Sequence, residues 1–376
     1  MAGIYIHIPF CHQACTYCNF HFSTSLDKKE RFIQSLIKEI GLNDFIGQPA
    51  LPVETIYFGG GTPSILETRE ISLLLKEIRG RYDVSGTAEV TLEANPDDIN
   101  PERLDAWLKA GINRLSVGVQ SFHEDELRWM NRSHSAEDSL RCINEIKAAG
   151  FDNFSVDLIY GSPLQTDAML DANLDHLFNL AVPHLSCYAL TAEPKTILQN
   201  KIDRKETAPP DPDRQSAQFL QLMKRMADAG YNHYEISNYA LPGKESRHNS
   251  SYWKGDAYLG LGPSAHSFDG QRTRRWNLSN NSLYLESLLK GVIPYEEEVL
   301  LDEQLMNEYI MTSLRTKEGI SLASIRMRFG AAHVNRLIVS SEKFNTAGRM
   351  RIHQDHLQLT DEGKLFADGI AADLFV

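Results

Sequence analysis

Short apolar runs alternate with amphipathic helical patterns over the first two-thirds of the chain, and this alternation leaves few folds open. Each run is rich in Val, Ile, Leu, Tyr or Phe and is followed by turn residues, as buried strands are. The candidate strands are Ile4–Ile8, Thr55–Phe58, Glu89–Glu93, Arg114–Val119, Ser155–Ile159 and Leu185–Leu190. Strands separated by helices pair in parallel, so the pattern predicts an α/β fold.

Between the strands, apolar residues recur at helical spacing, as in the stretches 33–40, 73–78 and 140–146. Gly111, Gly150 and Gly230 each stand where such a helix should end. Polar residues cluster at the strand ends, which is where barrel enzymes place their sites. We therefore predict a partial (β/α) barrel with a small, mainly helical C-terminal domain.

The rhythm breaks at Lys201–Pro212, which has the composition of a surface loop. From about Asp302 the pattern is helical again, and it ends in a short hairpin (350–360) and a last helix predicted over Thr360–Phe375. These shifts predict a barrel over residues 1–240, a connecting segment and linker over 241–300, and a helical, winged-helix-like domain over 301–376.

The composition limits the class of protein. The chain has 376 residues, 42% of them hydrophobic, and a formal net charge of −12. That acidity argues against a nucleic-acid partner. The N-terminus has no basic region followed by an apolar one, and no stretch approaches the roughly 18 uncharged apolar residues of a membrane span. A cytoplasmic protein is expected.

Three of the five cysteines form a tight cluster, Cys11, Cys15 and Cys18, directly after the first predicted strand. Closely spaced thiolates in a short loop hold iron–sulfur clusters. No fourth cysteine lies nearby, since Phe20 stands where another would be, and Cys142 and Cys187 fit ordinary buried thiols. The spacing predicts a cluster in which one iron keeps an open coordination position.

A zinc site is the alternative, with His12 or His21 as the fourth ligand. Zinc ligands usually come as two separated pairs, which the single CxxxCxxC triplet does not match. The spacing therefore favours the iron–sulfur cluster.

Chemically capable residues follow several strands. Gly59-Gly60-Gly61-Thr62-Pro63 can bring backbone peptide groups close to a ligand. Glu93, Gln120 and Asp157 end or lie in later strands, and Arg132 is a candidate charge partner for Asp157. Each could instead make a structural hydrogen bond at the barrel rim. As a set at successive strand ends, they indicate ligand contact.

The motif Tyr5-Ile6-His7-Ile8-Pro9-Phe10-Cys11, with CxxxCxYC, resembles the radical SAM superfamily. Within it the chain resembles the anaerobic coproporphyrinogen III oxidase family, and most closely its HemW-type haem chaperone branch. The resemblance implies a [4Fe–4S] cluster whose open iron is chelated by S-adenosylmethionine (SAM). It also implies that SAM is held by Tyr5, Gly60, Gly61, Thr62, Glu93, Gln120, Arg132, Asp157 and Ala189. Whether one or two SAM molecules bind is left open.

Two functions compete within this resemblance: oxidative decarboxylation of coproporphyrinogen III, and haem binding with transfer to an acceptor protein. The oxidase branch has an extension before the first strand and a further cysteine in CxxxCxxCxC, where this chain has Phe20. The segment Arg247–Trp253 matches the HNxxYW signature of the chaperone branch. These features favour the chaperone.

The signature makes His248 the expected haem ligand, because an imidazole can bind haem iron. A surface histidine, or one bonded to nearby backbone, is the alternative. His266 is a second candidate, and Gly260–Pro263 either brings backbone near the cofactor or forms a turn.

The sequence of the C-terminal domain gives the least information about partners. In the family it covers the barrel mouth, and Arg326, Arg328 and Arg336 face either a partner or solvent. The sequence leaves open the haem acceptor, peripheral membrane contact and a homodimer.

Overall fold

The computed structural model describes residues 2–46 and 51–376. Strands and helices alternate through residue 203. These elements are β1 (Ala2–Ile8), α1 (Lys29–Leu42), β2 (Val53–Gly60), α2 (Thr68–Arg81), β3 (Val84–Ala94), α3 (Pro101–Ala110), β4 (Arg114–Gln120), α4 (Glu124–Trp129), α5 (Ala136–Ala148), β5 (Phe154–Tyr160), α6 (Asp167–Asn179), β6 (His184–Ala189) and α7 (Ile197–Asp203). Single-turn 3-10 helices follow β2 and β3 at Pro63–Ile65 and Pro96–Asp98. Every predicted strand of the barrel is confirmed.

The rest of the chain adds further strands and a second group of helices. These elements are α8 (Pro212–Asp228), β7 (Asn232–Glu235), β8 (Asn238–Ala240), α9 (Arg247–Lys254), β9 (Ala257–Leu261), β10 (His266–Phe268), β11 (Thr273–Asn277), α10 (Asn281–Leu289), β12 (Tyr295–Val299), α11 (Asp302–Leu314), β13 (Ile320–Ser321), α12 (Leu322–Phe329), α13 (Ala331–Thr346), β14 (Met350–His353), β15 (His356–Leu359), α14 (Asp361–Lys364) and α15 (Ala367–Leu374). The predicted surface loop begins only after Asp203, because Lys201–Asp203 complete α7.

Twelve strands form one sheet in the order β12-β11-β10-β9-β1-β2-β3-β4-β5-β6-β8-β7. The strands from β9 to β6 are parallel, while both flanks are antiparallel. The two end strands, β12 and β7, do not pair with each other, so the barrel stays open. The prediction of a partial barrel within an α/β fold is confirmed.

Alternation along each strand separates an apolar face from a polar one. Ile4, Ile6 and Ile8 of β1 are fully buried and join the helices in the main hydrophobic core. Tyr5 and His7, at the positions between them, face the inside of the barrel, where Tyr5 stacks on Tyr57. The barrel interior is therefore lined by polar and aromatic side chains, which is unusual for a core and suits a binding site.

The helix ends follow local sequence signals. Asn100 caps α3, its side chain accepting a hydrogen bond from the Arg103 amide at 2.9 Å. Gly111, Gly150 and Gly230 all adopt positive φ angles at helix C-termini, as predicted.

The segment 241–300, predicted to be a connecting segment and linker, extends the main sheet. Its strand β9 pairs in parallel with β1, and β10 to β12 continue the sheet outward. The buried carboxylate of Glu39 ties this segment to α1, since it accepts from the Gly262 amide at 2.8 Å and the Tyr284 hydroxyl at 2.6 Å. A strand pairing this distant in sequence leaves no local signal.

Residues of the C-terminal domain form their own hydrophobic core. Its three-stranded sheet has the order β13-β15-β14, and the predicted hairpin is confirmed. The last helix differs from the prediction over Thr360–Phe375, because it is split into α14 and α15. At Phe366 the backbone leaves helical geometry (φ −118°), and the Arg349 guanidinium lies over the Phe366 ring. The helix is therefore interrupted at Phe366.

Candidate cofactor site

A cavity of about 410 Å³ opens at the carboxyl ends of the parallel strands. Cys11, Cys15 and Cys18 all line it, because the loop after β1 carries them over the same edge of the sheet that β2 to β6 reach. This is the end of the barrel at which the sequence predicts a site.

The cysteine loop is held by its own backbone and by β2. The Cys11 amide donates to the Ser23 carbonyl at 3.0 Å, and the Cys18 amide to that of Cys15 at 3.4 Å. Burial raises the pKa of the Cys11 thiol to about 11, although a hydrogen bond from Thr62 partly offsets this rise. Without a metal this thiol stays protonated at neutral pH, so cluster binding would release its proton.

The zinc alternative finds no support in the positions of the two histidines. His12 lies 3.8 Å from Asp98, and the His21 Nε2 atom is 2.7 Å from the Asn281 side chain. Within residues 2–46 and 51–376, no three His, Cys, Asp or Glu side chains converge on a point that would hold a single ion. Three thiols that line one cavity suit a cluster, whose irons lie at separate corners.

The two remaining cysteines lie away from this loop. Cys142 on α5 is fully buried and Cys187 on β6 is 2% exposed, and both are free thiols. Burial raises the pKa of Cys142 to about 12. They are ordinary core residues, as the sequence indicates.

The glycines after β2 permit a close approach between two loops. Gly60 has φ +110°, and a Cβ there would lie 2.7 Å from the His7 ring. A Cβ on Gly61 would lie 2.5 Å from the Phe10 carbonyl oxygen. The amides of Gly61 and Thr62 donate to the carbonyls of Ile8 and Phe10 at 2.9 and 2.7 Å. These two N–H groups therefore fix the cysteine loop to the end of β2, while Gly60, Gly61 and Thr62 still line the cavity.

Glu93 reaches the cavity from the end of β3. It accepts from the Tyr57 hydroxyl at 2.8 Å and from the Gly60 amide at 3.2 Å. Burial, with a smaller contribution from the charge of nearby Asp157, raises the pKa of this carboxyl to about 7. Burial likewise raises the pKa of Asp157 to about 6. Two carboxyl groups of raised pKa in one cavity mark a functional site.

Arg132 is not the direct partner of Asp157 that the sequence suggested. Its Nη1 lies 3.3 Å from the Cys15 sulfur, and its Nη2 donates to the Asn95 side chain at 2.8 Å and to the Gly118 carbonyl at 2.7 Å. The pKa of Asp157 is lowered most by Ser186, then by the charge of Arg114, and least by that of Arg132. The reach of a long side chain cannot be read from strand order.

The structure brings together eight of the nine residues that the resemblance assigns to SAM. Gly60, Gly61, Thr62, Glu93, Gln120, Arg132, Asp157 and Ala189 line the cavity. Gln120 has φ +67°, a strained angle for a residue with a side chain, of the kind found at ligand sites. Tyr5 is the exception: it lies beneath the cavity, with its hydroxyl 3.3 Å from the His7 Nδ1 atom.

Sequence reasoning missed several residues that line the cavity. Asn95, Gly118 and Tyr188 contribute to its wall, and the first two hold the Arg132 guanidinium. Asn95 directly follows β3, so the strand-end rule that found Glu93 would also have found it.

His248 is neither a surface histidine nor an open ligand. It is 1% exposed, with Nδ1 2.8 Å from the Thr55 hydroxyl and Nε2 2.9 Å from the Tyr252 hydroxyl. Its ring stacks on Tyr57 at 5.0 Å between centroids, and burial lowers its pKa to about 3. Both ring nitrogens are therefore engaged, and the side chain anchors α9 to the floor of the barrel.

The structure also places the other residues that were considered for haem binding, His266 and Gly260–Pro263. His266 is exposed on β10 and stacks against Trp276. Gly260–Pro263 does not line the cavity; a Cβ on Gly262 would lie 2.6 Å from the His7 carbonyl oxygen. Gly260 and Leu261 end strand β9, and the chain turns at Gly262 and Pro263 beside β1.

The residues present fit the implied cofactors. Three thiols line the cavity, and the Nε atom of Arg132 is buried without a hydrogen-bond partner among the described residues. A free guanidinium donor in a cavity with carboxyl groups suits a ligand that carries both a carboxylate and hydroxyl groups.

The open barrel and its three-cysteine cavity define a protein of the radical SAM class. The family model described as the radical SAM superfamily matches residues 5–177, and that of the HemN C-terminal domain matches 300–366. More narrowly, the chain belongs to the family of the heme chaperone HemW. The protein of that name from Mycobacterium tuberculosis is 35% identical over 99% of this chain and 94% of its own. The Bacillus subtilis protein is 33% identical over 98% of both.

Among solved structures, the coproporphyrinogen III oxidase HemN from Escherichia coli superimposes with a TM-score of 0.86. The match covers 100% of this chain and 90% of the oxidase, at 23% identity, and so shows a shared fold. No helix in the described part of the chain is long and apolar enough to cross a membrane.

Proposed function

We propose that this protein is a cytoplasmic haem chaperone, which binds haem and passes it to an acceptor protein. Its full-length match to proteins named heme chaperone HemW carries this proposal. The proposal includes a [4Fe–4S] cluster on Cys11, Cys15 and Cys18, and SAM in the cavity beside it.

Within this proposal, each side chain of the cavity has a chemical task. Glu93 and Asp157 would accept from SAM hydroxyl or amino groups, and the free Nε of Arg132 would donate to the carboxylate. Gln120 and the backbone at Ala189 would add polar contacts, while Gly60, Gly61 and Thr62 keep the cysteine loop in place. The Tyr5 ring stacks on Tyr57, whose hydroxyl donates to Glu93. Tyr5 would therefore help to hold Glu93 in position. When bound, the cluster and SAM would supply one-electron chemistry.

The haem side of the proposal rests on helix α9, which carries the HNxxYW residues. His248 would need to break two hydrogen bonds and leave the barrel to reach a haem iron. We therefore propose that His248 and Tyr252 position the helix, and that contact with haem falls to residues around its outer face.

The oxidase function is the competing proposal, and an anaerobic assay distinguishes the two. Cluster-loaded protein, SAM and a reductant are incubated with coproporphyrinogen III, while a second sample is titrated with haemin. We expect a saturable Soret band and no protoporphyrinogen IX. Product formation without haem binding would contradict the chaperone proposal. Cys15→Ala, which should lose the cluster, is the control for any turnover.

A further inference from the structure

The chain just after helix α4 holds the cysteine loop on both sides of Cys15. The Asn131 side-chain amide donates to the Ala14 carbonyl at 2.7 Å. The Thr16 amide donates to the Met130 carbonyl at 3.0 Å. The residues before and after Cys15 are therefore both bonded to the same short segment, which lies more than a hundred residues further along the chain.

Asn131 combines this contact with the turn that ends α4. Its φ is +57°, a left-handed conformation that asparagine adopts more readily than most residues with a side chain. Its amide donates to the Arg128 carbonyl at 3.1 Å, and the Arg132 amide donates to the Leu127 carbonyl at 2.9 Å, which is the Schellman pattern of a helix end. In return, the Gln13 side chain donates to the Asn131 carbonyl at 3.0 Å. One residue thus ends the helix and exchanges two hydrogen bonds with the cysteine loop.

Helix α4 is itself attached to the sheet, so the contact has a fixed base. Glu126 on α4 is fully buried and accepts from the Ser121 hydroxyl at 2.7 Å and the Ser162 hydroxyl at 2.5 Å. These two serines follow strands β4 and β5. A donor carried by an anchored helix holds a site residue more precisely than a donor on a free loop.

Of the three cysteines, Cys15 has neighbours that are bonded from outside the loop on two sides. The Thr16 carbonyl accepts from the Leu198 amide of α7 at 2.7 Å, opposite to the contact with α4. The amides of Cys11 and Cys18 instead donate to carbonyls of the loop itself. The position of Cys15 relative to the other two thiols therefore depends on α4 and α7.

We infer that Asn131 is a positioning residue for the iron–sulfur cluster. Its side-chain amide fixes the backbone before Cys15, and the fixed backbone sets where the Cys15 sulfur lies relative to Cys11 and Cys18. The inference rests on the cluster of the proposed function and deepens it, because it adds a residue that acts on the cysteine loop and is not itself a ligand.

Asn131→Gly tests the inference, because glycine keeps the left-handed turn and removes the side-chain amide. Lys205→Gly is the matched control. Lys205 is exposed, has φ +58° and ends α7 with the same pair of backbone bonds, yet it does not line the cavity. The reconstituted full chains are mixed with EDTA under anaerobic conditions, and the decay of the cluster absorbance is followed. Asn131→Gly should lose its cluster at least about threefold faster than the wild type, the effect of losing one hydrogen bond of ordinary strength.

A second measurement needs no cluster. The cluster-free chains are alkylated with iodoacetamide, and the modified cysteines are counted by peptide mass spectrometry. Cys15 should react faster in Asn131→Gly than in the wild type, while the buried Cys142 should react equally slowly in both. Equal melting temperatures of the cluster-free chains would show that the barrel is unchanged and that the effect is confined to the loop.

The outcomes separate this inference from the proposed function. If the wild type assembles no cluster, the proposed cluster fails and the inference fails with it. If the wild type holds a cluster and Asn131→Gly holds it equally firmly, with unchanged Cys15 reactivity, the inference is wrong and the proposed function stands. If Lys205→Gly loses its cluster as fast as Asn131→Gly, the effect does not come from the bond to Ala14, and the inference is again wrong.

Discussion

The Arg132 guanidinium bonds the Cys15 sulfur at 3.3 Å across 117 residues of sequence. The same group also binds the Asn95 side chain and the Gly118 carbonyl. One planar cation thus joins the cysteine loop to the ends of β3 and β4. The arrangement explains why a cavity assembled from separate strand ends has a defined shape.

Arg132→Lys should weaken SAM binding while leaving the cluster in place. A lysine ammonium cannot reproduce the fork that contacts three acceptors and leaves Nε free. We expect SAM affinity to fall about tenfold or more, a loss of about 1.4 kcal/mol, measured by calorimetry on the reconstituted protein. Arg128→Lys, on exposed α4, is the matched control. Equal SAM affinity in the two variants would contradict this role.

Glu93 should make the stability of the cofactor-free protein depend on pH. Its pKa of about 7 lies above the ordinary 4.5, so between these values the folded state keeps a proton that the unfolded state releases. This contribution is complete below about pH 4.5 and is lost as pH rises through 7. Relative to Glu93→Gln, wild type should lose about 1–2 kcal/mol from pH 5 to 8 in urea unfolding. A pH-independent difference would show that Glu93 does not titrate there.

The cysteines should divide into two groups. Alanine at Cys11, Cys15 or Cys18 should abolish the brown chromophore and the bound iron and sulfide after reconstitution. Alanine at Cys142 or Cys187 should leave both, because these thiols are buried away from the cavity. Iron and sulfide analysis checks this. Loss of the cluster in Cys142→Ala would overturn the three-cysteine site.

Glu89→Gln should destabilise the barrel floor. Glu89 accepts from the His248 and Arg247 amides at 3.0 and 3.2 Å, and it lies 3.9 Å from the fully buried Arg114. Removing its charge leaves Arg114 buried beside an amide, which should cost about 3 kcal/mol in the free energy of unfolding.

Glu54→Gln is the control for this prediction. Glu54 bonds Arg247 on a half-exposed surface, so its loss should cost less than about 1 kcal/mol. Urea titration of both variants gives the comparison, and equal effects would mean that Glu89 is not the anchor of α9.

Most of the barrel could be predicted because its signals are local. The alternation within a strand, a helix-ending glycine such as Gly111 and the spacing of the three cysteines can each be recognised within a short stretch of sequence. The cavity residues Glu93 and Gln120 followed from the rule that parallel strands end at one edge.

The rest depends on contacts between distant parts of the chain. Because β9 pairs with β1, the segment that was expected to be a linker is part of the sheet. The hydrogen bond between Thr55 and His248, which are 193 residues apart, holds the histidine ring inside the barrel. A sequence motif can indicate that a histidine is functional, but the packing of the folded chain decides which way its ring faces.

Transfer of haem to a second protein is the most direct test of the proposed chaperone function. The cluster-loaded chain is given one equivalent of haemin, freed of excess, and mixed with apomyoglobin. If the protein is a haem chaperone, the Soret band of the loaded chain gives way to that of myoglobin, and the recovered chain takes up a second equivalent. A chain that retains no haem after removal of the excess would contradict it.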